Sequence, residues 1–186
     1  MEYQQAFKIA SELVELFTPY CERIAIAGSV RRQKPEVGDI EIVAIPRMVP
    51  EQIGMFTGLD FPDEPAPLVS ALDDVLMGLG RFIKNGQRYK QIVLNEINLD
   101  LFLVLPPAQW GVLFVIRTGP ADFSKWCVTP RKYSGALPSD CSVKDGAVYH
   151  NGKIIPTPEE MDFLNFLGLG WIEPKDRVAG RLRVTG

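Results

Sequence analysis

The sequence predicts an α+β fold, in which helices flank a β-sheet and a smaller α/β lobe follows. Three observations carry that expectation. Apolar residues recur at helical spacing near the start of the chain. Short apolar runs bounded by glycine, proline and Asn-Gly turns then read as strands. Finally, two tight turns and a capped helix crowd the last third.

Tyr3, Ala6, Phe7, Ala10, Leu13, Val14 and Phe17 form the first stripe, which Thr18-Pro19 ends, predicting a helix that packs on a sheet. Arg23 to Ala27 reads as a strand delivering a Gly28-Ser29 turn, and Asp39 to Ile45 as the next strand, stopped by Pro46. Phe61 to Pro67, with three prolines and two acids, reads as a surface loop. Leu68, Ala71, Leu72, Val75, Leu76 and Leu79 predict a second helix with Gly80 as its C-cap. Arg81 to Lys84, Asn85-Gly86 and Tyr89 to Leu94 read as a hairpin. The run from Ile97 to Leu105 is apolar apart from Asn98 and Asp100, and Pro106-Pro107 marks a lobe boundary, giving domains 1–106 and 107–186. In the second lobe a helix is expected over Asp122 to Val128. A three-stranded meander follows, from Val143 through Ala147–His150 to Lys153–Ile155, turning at Asp145-Gly146 and Asn151-Gly152. Thr157-Pro158-Glu159-Glu160 reads as an N-cap, an N1 proline and a capping-box glutamate, opening a helix that stops at Gly168.

Length and charge narrow the function classes. A chain of 186 residues, 46% hydrophobic, buries a proper core as one unit or two closely packed lobes. The balance of 20 basic against 23 acidic residues argues against gripping a polyanion by bulk charge. The split is uneven: residues 1–116 hold 10 basic and 15 acidic side chains, residues 117–186 hold 10 and 8, so nucleic-acid contact should favour the second part. Cys21, Cys127 and Cys141 are scattered and unpaired in pattern, which supports neither a disulfide framework nor a zinc knuckle and fits a reducing cytoplasm. No run reaches membrane-spanning length, and the amino terminus does not read as a leader.

The chemistry concentrates in Gly28-Ser29-Val30-Arg31-Arg32 and Gly38-Asp39-Ile40-Glu41. Strand alternation puts Asp39 and Glu41 on one face of an otherwise aliphatic strand, where unpaired charge is costly. Acids at this spacing can simply form a polar strand face. The small-residue turn and paired arginines just before them favour a divalent cation beside a phosphate instead. Asp100, inside Leu-Asp-Leu-Phe-Leu-Val, is a third such acid; a structural carboxylate capped by backbone donors is its alternative. Three carboxylates on neighbouring strands can hold two Mg²⁺ ions roughly 4 Å apart, an arrangement suited to in-line displacement at phosphorus. Nucleotidyl transfer is the reaction this chemistry suggests.

Gly28-Ser29-x-Arg31-Arg32, Gly38-Asp39-x-Glu41 and the later Asp100 resemble the palm of DNA polymerase family X, the polymerase beta superfamily. Trp110 to Gly119 resembles that family's strand ending in a Tyr-Phe-Thr-Gly turn, Phe123-Ser124 falls at its Phe-Asn, and Glu173-Pro174-Lys175-Asp176-Arg177 resembles its C-terminal Glu-Pro-Lys-Asp-Arg. The resemblance implies a nucleotidyltransferase palm built on a mixed sheet, followed by a thumb-like, nucleotide-closing subdomain. With about 22 residues before the first palm strand, it is similar to the minimal palm-plus-thumb enzymes of some large viruses, acting in DNA repair, as a monomer, in the (host) cytoplasm.

By the same resemblance, Asp39, Glu41 and Asp100 are the catalytic metal ligands for two Mg²⁺, or Mn²⁺, and act on a dNTP and a gapped or primer-template DNA. Gly28, Ser29, Arg32 and Gly38 would hold the β- and γ-phosphates, and Thr118, Gly119, Phe123 and Ser124 would lie by the incoming sugar and base. Arg31 is expected to face outward. For Phe123 a plain core role is the alternative. Glu41 stands where the family has aspartate, which bears on metal preference. Ile116-Arg117 replaces a tyrosine-phenylalanine pair, opening ribonucleotide use. Ser124 replaces asparagine and Val128 an arginine, weakening template contacts. Pro120 predicts a cis Gly119-Pro120 peptide.

Candidate DNA contacts are Arg88, Lys90, Lys125, Arg131, Lys132, Lys175 and Arg177, with Arg181 and Arg183 beyond them, each otherwise an ordinary solvated charge. Trp126 and Tyr133 either stack on bases or pack in the core, and His150 is expected to be structural. The leading expectation is a template-directed, short-gap-filling DNA polymerase. The alternatives are a template-independent nucleotidyltransferase acting on RNA, a small molecule or a protein, and a catalytically silent binding module.

Overall fold

The computed structural model describes residues 1–51 and 67–180. The expected loop at 61–66, Arg181 and Arg183 lie outside those residues. Helix α1 (Tyr3–Phe17) buries Ala6, Ala10, Leu13 and Phe17, the stripe its spacing predicts. Phe7, assigned to the same stripe, is 45% exposed, because it lies a quarter-turn beyond the row that meets the sheet. Strand β1 (Cys21–Ile26), the one-turn helix α2 (Gly28–Arg31) and β2 (Asp39–Pro46) follow.

Beyond β2, the chain departs from the helical stripe expected over Leu68–Leu79. Leu68–Ser70 is strand β4, paired antiparallel with β3 (Met48–Pro50). Only Leu72–Met77 is helical, as α3, with Gly78 rather than Gly80 as C-cap. Pairing to β3 takes the first turn away from the helix. The Ser70 hydroxyl accepts the Leu72 N–H at the helix start, 3.2 Å away. Gly80 serves close packing instead, since a side-chain carbon there would collide with the backbone carbonyl of Val93.

Strands β5 (Arg81–Asn85), β6 (Tyr89–Leu94) and β7 (Ile97–Leu103) complete a five-stranded sheet of order β1-β2-β7-β6-β5. The sheet is mixed: β2 and β7 run parallel, and the other neighbours are antiparallel. One face, carrying Ile40, Ile42, Ala44, Leu99, Leu101 and Leu103, packs on α1 and α3. The opposite face offers Val43, Phe102 and Val104 to Trp110 and Phe114.

Those last two residues belong to α4 (Trp110–Thr118), a helix where the family resemblance implies a strand. The segment is apolar from Trp110 to Ile116 except at Gly111 and carries no period that separates the two, so packing decides. Trp110 and Phe114 meet the sheet, while Val112 and Val115 enter a second core with Phe123, Cys127, Val148, Phe163 and Leu164. Gly111 is small because the Thr157 and Glu159 carbonyls press on it.

The second lobe comprises α5 (Ala121–Val128), the expected meander β8 (Cys141–Lys144), β9 (Ala147–His150) and β10 (Lys153–Ile155), and α6 (Glu160–Phe166). The capping box of α6 pairs Glu159 with Asp162, two residues later than expected. Thr157 is instead fully buried, its N–H and hydroxyl both donating to the Gln109 side chain. Gly119–Pro120 is cis as expected, and Pro106–Pro107, read from the sequence only as a boundary, is cis too. All three cysteines are free and buried.

Candidate active site

Each acid reaches the site through strand register. Asp39 and Glu41 alternate with the buried Ile40 and Ile42, so both project on the α4 side of the sheet. Parallel pairing sets Glu41 directly beside Asp100, with Asp39 beside Asn98. A strand adjacency between residues 59 positions apart thus sets all three acids on one face of the sheet.

The electrostatics record that crowding. Burial, then the neighbouring Asp39 charge, pushes the Glu41 carboxyl up to about 7, against the pull of Arg32. Burial and Asp100 raise Asp39 as well. The Tyr89 hydroxyl, on β6, donates to Asp100 Oδ1 over 2.8 Å and stacks on Phe102 at 5.0 Å. Burial and this bond push its pKa to about 12, so it remains a donor.

Among the described residues, no group of three or more His, Cys, Asp or Glu side chains is arranged to hold a metal ion as it stands. The Glu41 carboxylate lies against Gly28, where a side-chain carbon would collide with it, and Gly28 holds φ at 58°. By chemistry alone, the three carboxylates on this face are the hard oxygen donors a divalent cation takes, and burial with neighbouring acids, Asp100 for Asp39 and Asp39 then Asp100 for Glu41, opposes the ionisation of two of them.

Beside Glu41 stands the short helix that begins at Gly28. The Ser29 Oγ is buried without a hydrogen-bond partner among the described residues, and so is Arg32 Nε. Arg32 donates through Nη1 to the Thr118 carbonyl. A cavity of about 350 Å³ is lined by Arg32, Glu41, Ile116, Arg117, Gly119, Ala121 and Ser124. Four sequence-assigned residues therefore share one cleft with Arg117, which sequence reasoning treated only as a departure from a pattern. Gly119, at φ 69°, lets Arg32 approach: a side-chain carbon there would stand 2.9 Å from Nη1. Gly38 is open, with nothing close to its backbone.

Other assigned residues are placed elsewhere. Phe123 is fully buried in the second core and offers an incoming nucleotide no surface in this conformation. Ser124 Oγ donates to the Ile116 carbonyl at 2.6 Å, and Thr118 is fully buried. Arg31 does not face outward. Its guanidinium makes two bonds to Glu160, at 2.7 and 2.6 Å, and one to Thr118 Oγ1 at 2.7 Å, and it lies over Phe114.

The candidate DNA contacts divide the same way. Arg177 is 1% exposed and donates to Glu160 at 2.8 Å, so it is a core cation rather than a surface contact. Lys90 is 5% exposed and pairs with Asp73 at 3.0 Å, because its strand position points it inward. Arg88 donates to the Pro106 carbonyl, and Arg131 to the Leu167 and Ala136 carbonyls. Lys125, Lys132 and Lys175 are exposed and make no ion pair among the described residues. Trp126 leans on Phe123 in the core, Tyr133 is 68% exposed, and His150 pairs with Asp140 at 2.8 Å.

No protein-family model matches the chain. It is similar to DNA polymerase lambda of Rattus norvegicus, at 24% identity over an alignment of 201 residues. That alignment takes in 95% of this chain and 31% of the relative, so the chain spans about a third of the protein it matches. The similarity supports a distant relation to family X, and with it the palm-like mixed sheet flanked by helices.

Proposed function

We propose that the chain is a metal-dependent nucleotidyltransferase moving a nucleotide from a dNTP to a DNA 3′-hydroxyl, with residues 1–106 as palm and 107–186 as the nucleotide-closing lobe. One observation carries the reading: Glu41 and Asp100 are register partners on parallel strands, with Asp39 on the same face, beside a cleft containing Arg32. Asp39, Glu41 and Asp100 would hold Mg²⁺ or Mn²⁺, which supplies positive charge at the transferring phosphoryl group and activates a hydroxyl. Ser29 and Arg32 would bind phosphate oxygens through donors the described residues leave unused. Tyr89 would fix one oxygen of Asp100 by its hydrogen bond, leaving the other free to act as a ligand.

A second reading, template-independent transfer to another acceptor, draws on the withdrawal of Arg177 and Lys90 into the interior, which thins the surface available to a template. Extension of a labelled primer on a one-nucleotide gap, against single-stranded primer, separates the two, with each dNTP and rNTP offered singly. Addition that follows the template base and falls at least about 100-fold in Asp100→Ala supports the polymerase. Addition blind to the template selects the second reading. No addition to either acceptor overturns both.

A further inference from the structure

Arg117 is the charged group of the cleft that the reading above leaves without a task. It sits in the last turn of α4, with its guanidinium 4.0 Å over the Phe102 ring, a contact that fixes the plane of the fork. Its Nε is buried and unpartnered among the described residues, as is Arg32 Nε. Both side chains line the same cavity of about 350 Å³, within the size range of small-ligand pockets. Glu41 is the one carboxylate on that lining, while Asp39 and Asp122 also act on Arg32 and Asp100 on Arg117 from beyond it. The unpartnered Ser29 hydroxyl stands on the adjoining turn. Buried N–H donors without acceptors are costly, and planar guanidiniums match the paired oxygens of phosphates.

We infer that Arg117 and Arg32 form a two-guanidinium seat for the polyphosphate of the incoming nucleotide, one that binds it without a divalent ion. Arg32 enters from the short helix between β1 and β2, Arg117 from the helix crossing the other side of the cleft. The seat therefore closes only when the two lobes are in place, and one polyphosphate chain would bridge them. Glu41, close enough to act on both arginines, repels the same anion, as do Asp39 and Asp100, which sets the affinity below that of a purely cationic pocket.

The inference rests on the nucleotidyl-transfer reading for its ligand, but its test does not require catalysis. Binding of inorganic tripolyphosphate is measured by calorimetry in EDTA for the wild type, Arg117→Gln, Arg117→Lys and Arg32→Gln. Thermal unfolding of each variant is followed in parallel. The wild type should bind, and Arg117→Gln should weaken binding about 10- to 100-fold, or about 1.4 to 2.8 kcal/mol. Arg117→Lys, which keeps the charge but loses the fork, should fall between them; it decides the matter if the glutamine variant does not fold. Wild-type binding that Arg32→Gln abolishes and neither Arg117 variant changes overturns the role of Arg117 while leaving the phosphate turn intact. Absence of binding by the wild type in EDTA overturns the metal-free seat. Failure of primer extension with tripolyphosphate binding intact would count against the polymerase reading alone.

Discussion

At the scale of single residues, Glu41 carries the clearest consequence of the site's crowding. Its carboxyl is raised from 4.5 to about 7, mainly by burial and then by Asp39. Between those values the folded chain holds a proton that the unfolded chain has released, so this group lowers stability as pH climbs through that window. Glu41→Gln should remove that slope and, in EDTA above pH 7, be more stable than the wild type by on the order of 2 kcal/mol. Urea unfolding at acidic and alkaline pH measures it, and a wild type whose stability rises across the window would contradict the assignment. Tyr89→Phe removes the donor to Asp100 and leaves the stack on Phe102. Transfer should fall about 10-fold or more, with the fold unchanged by circular dichroism.

At the scale of elements, the short helix after β1 depends on one glycine. Gly28 holds a positive φ, and its missing side chain is the space the Glu41 carboxylate occupies. Gly28→Ala should therefore cost about 1–3 kcal/mol and displace Glu41, reducing transfer more than the stability loss alone explains. Thermal unfolding together with primer extension tests both halves; full activity in a stable Gly28→Ala protein would exclude that role. The segment Trp110–Thr118 makes the opposite point. Its apolar run serves a helix with two buried sides because a sheet face and a second core both compete for it.

For the whole molecule, the buried ion group at the lobe junction matters most. Glu160, 6% exposed, receives Arg31 from the first lobe and Arg177 from the chain's end. Burial, the largest influence, pushes its carboxyl up, but the Arg31 hydrogen bond and then the charges of Arg177 and Arg31 hold it below its ordinary value. Arg23 adds a bidentate pair to Glu159 nearby, at 2.7 and 2.6 Å. Removing Glu160 strands the buried Arg177 and unpairs the partly buried Arg31, so Glu160→Ala should cost about 3–5 kcal/mol, far more than breaking an exposed pair. Chemical denaturation measures the loss, and a change under about 1 kcal/mol would show that the junction does not depend on the group.

The acids were legible in the sequence because a charge in an aliphatic strand is an anomaly at any register, and alternation alone places Asp39 and Glu41 together. The first helix, the hairpin and the meander followed from local periodicity and turn chemistry, which act over a few residues. Tertiary structure decided what those local signals leave open. It made a helix of Trp110–Thr118, drew Arg31, Lys90 and Arg177 inward to buried carboxylates or a half-exposed aspartate, and buried Phe123. It also put Arg117 in the cleft. A surface lysine or arginine and a buried one look alike in a sequence, because the partner that makes burial tolerable lies dozens of residues away; register between strands and contact between lobes bring it near.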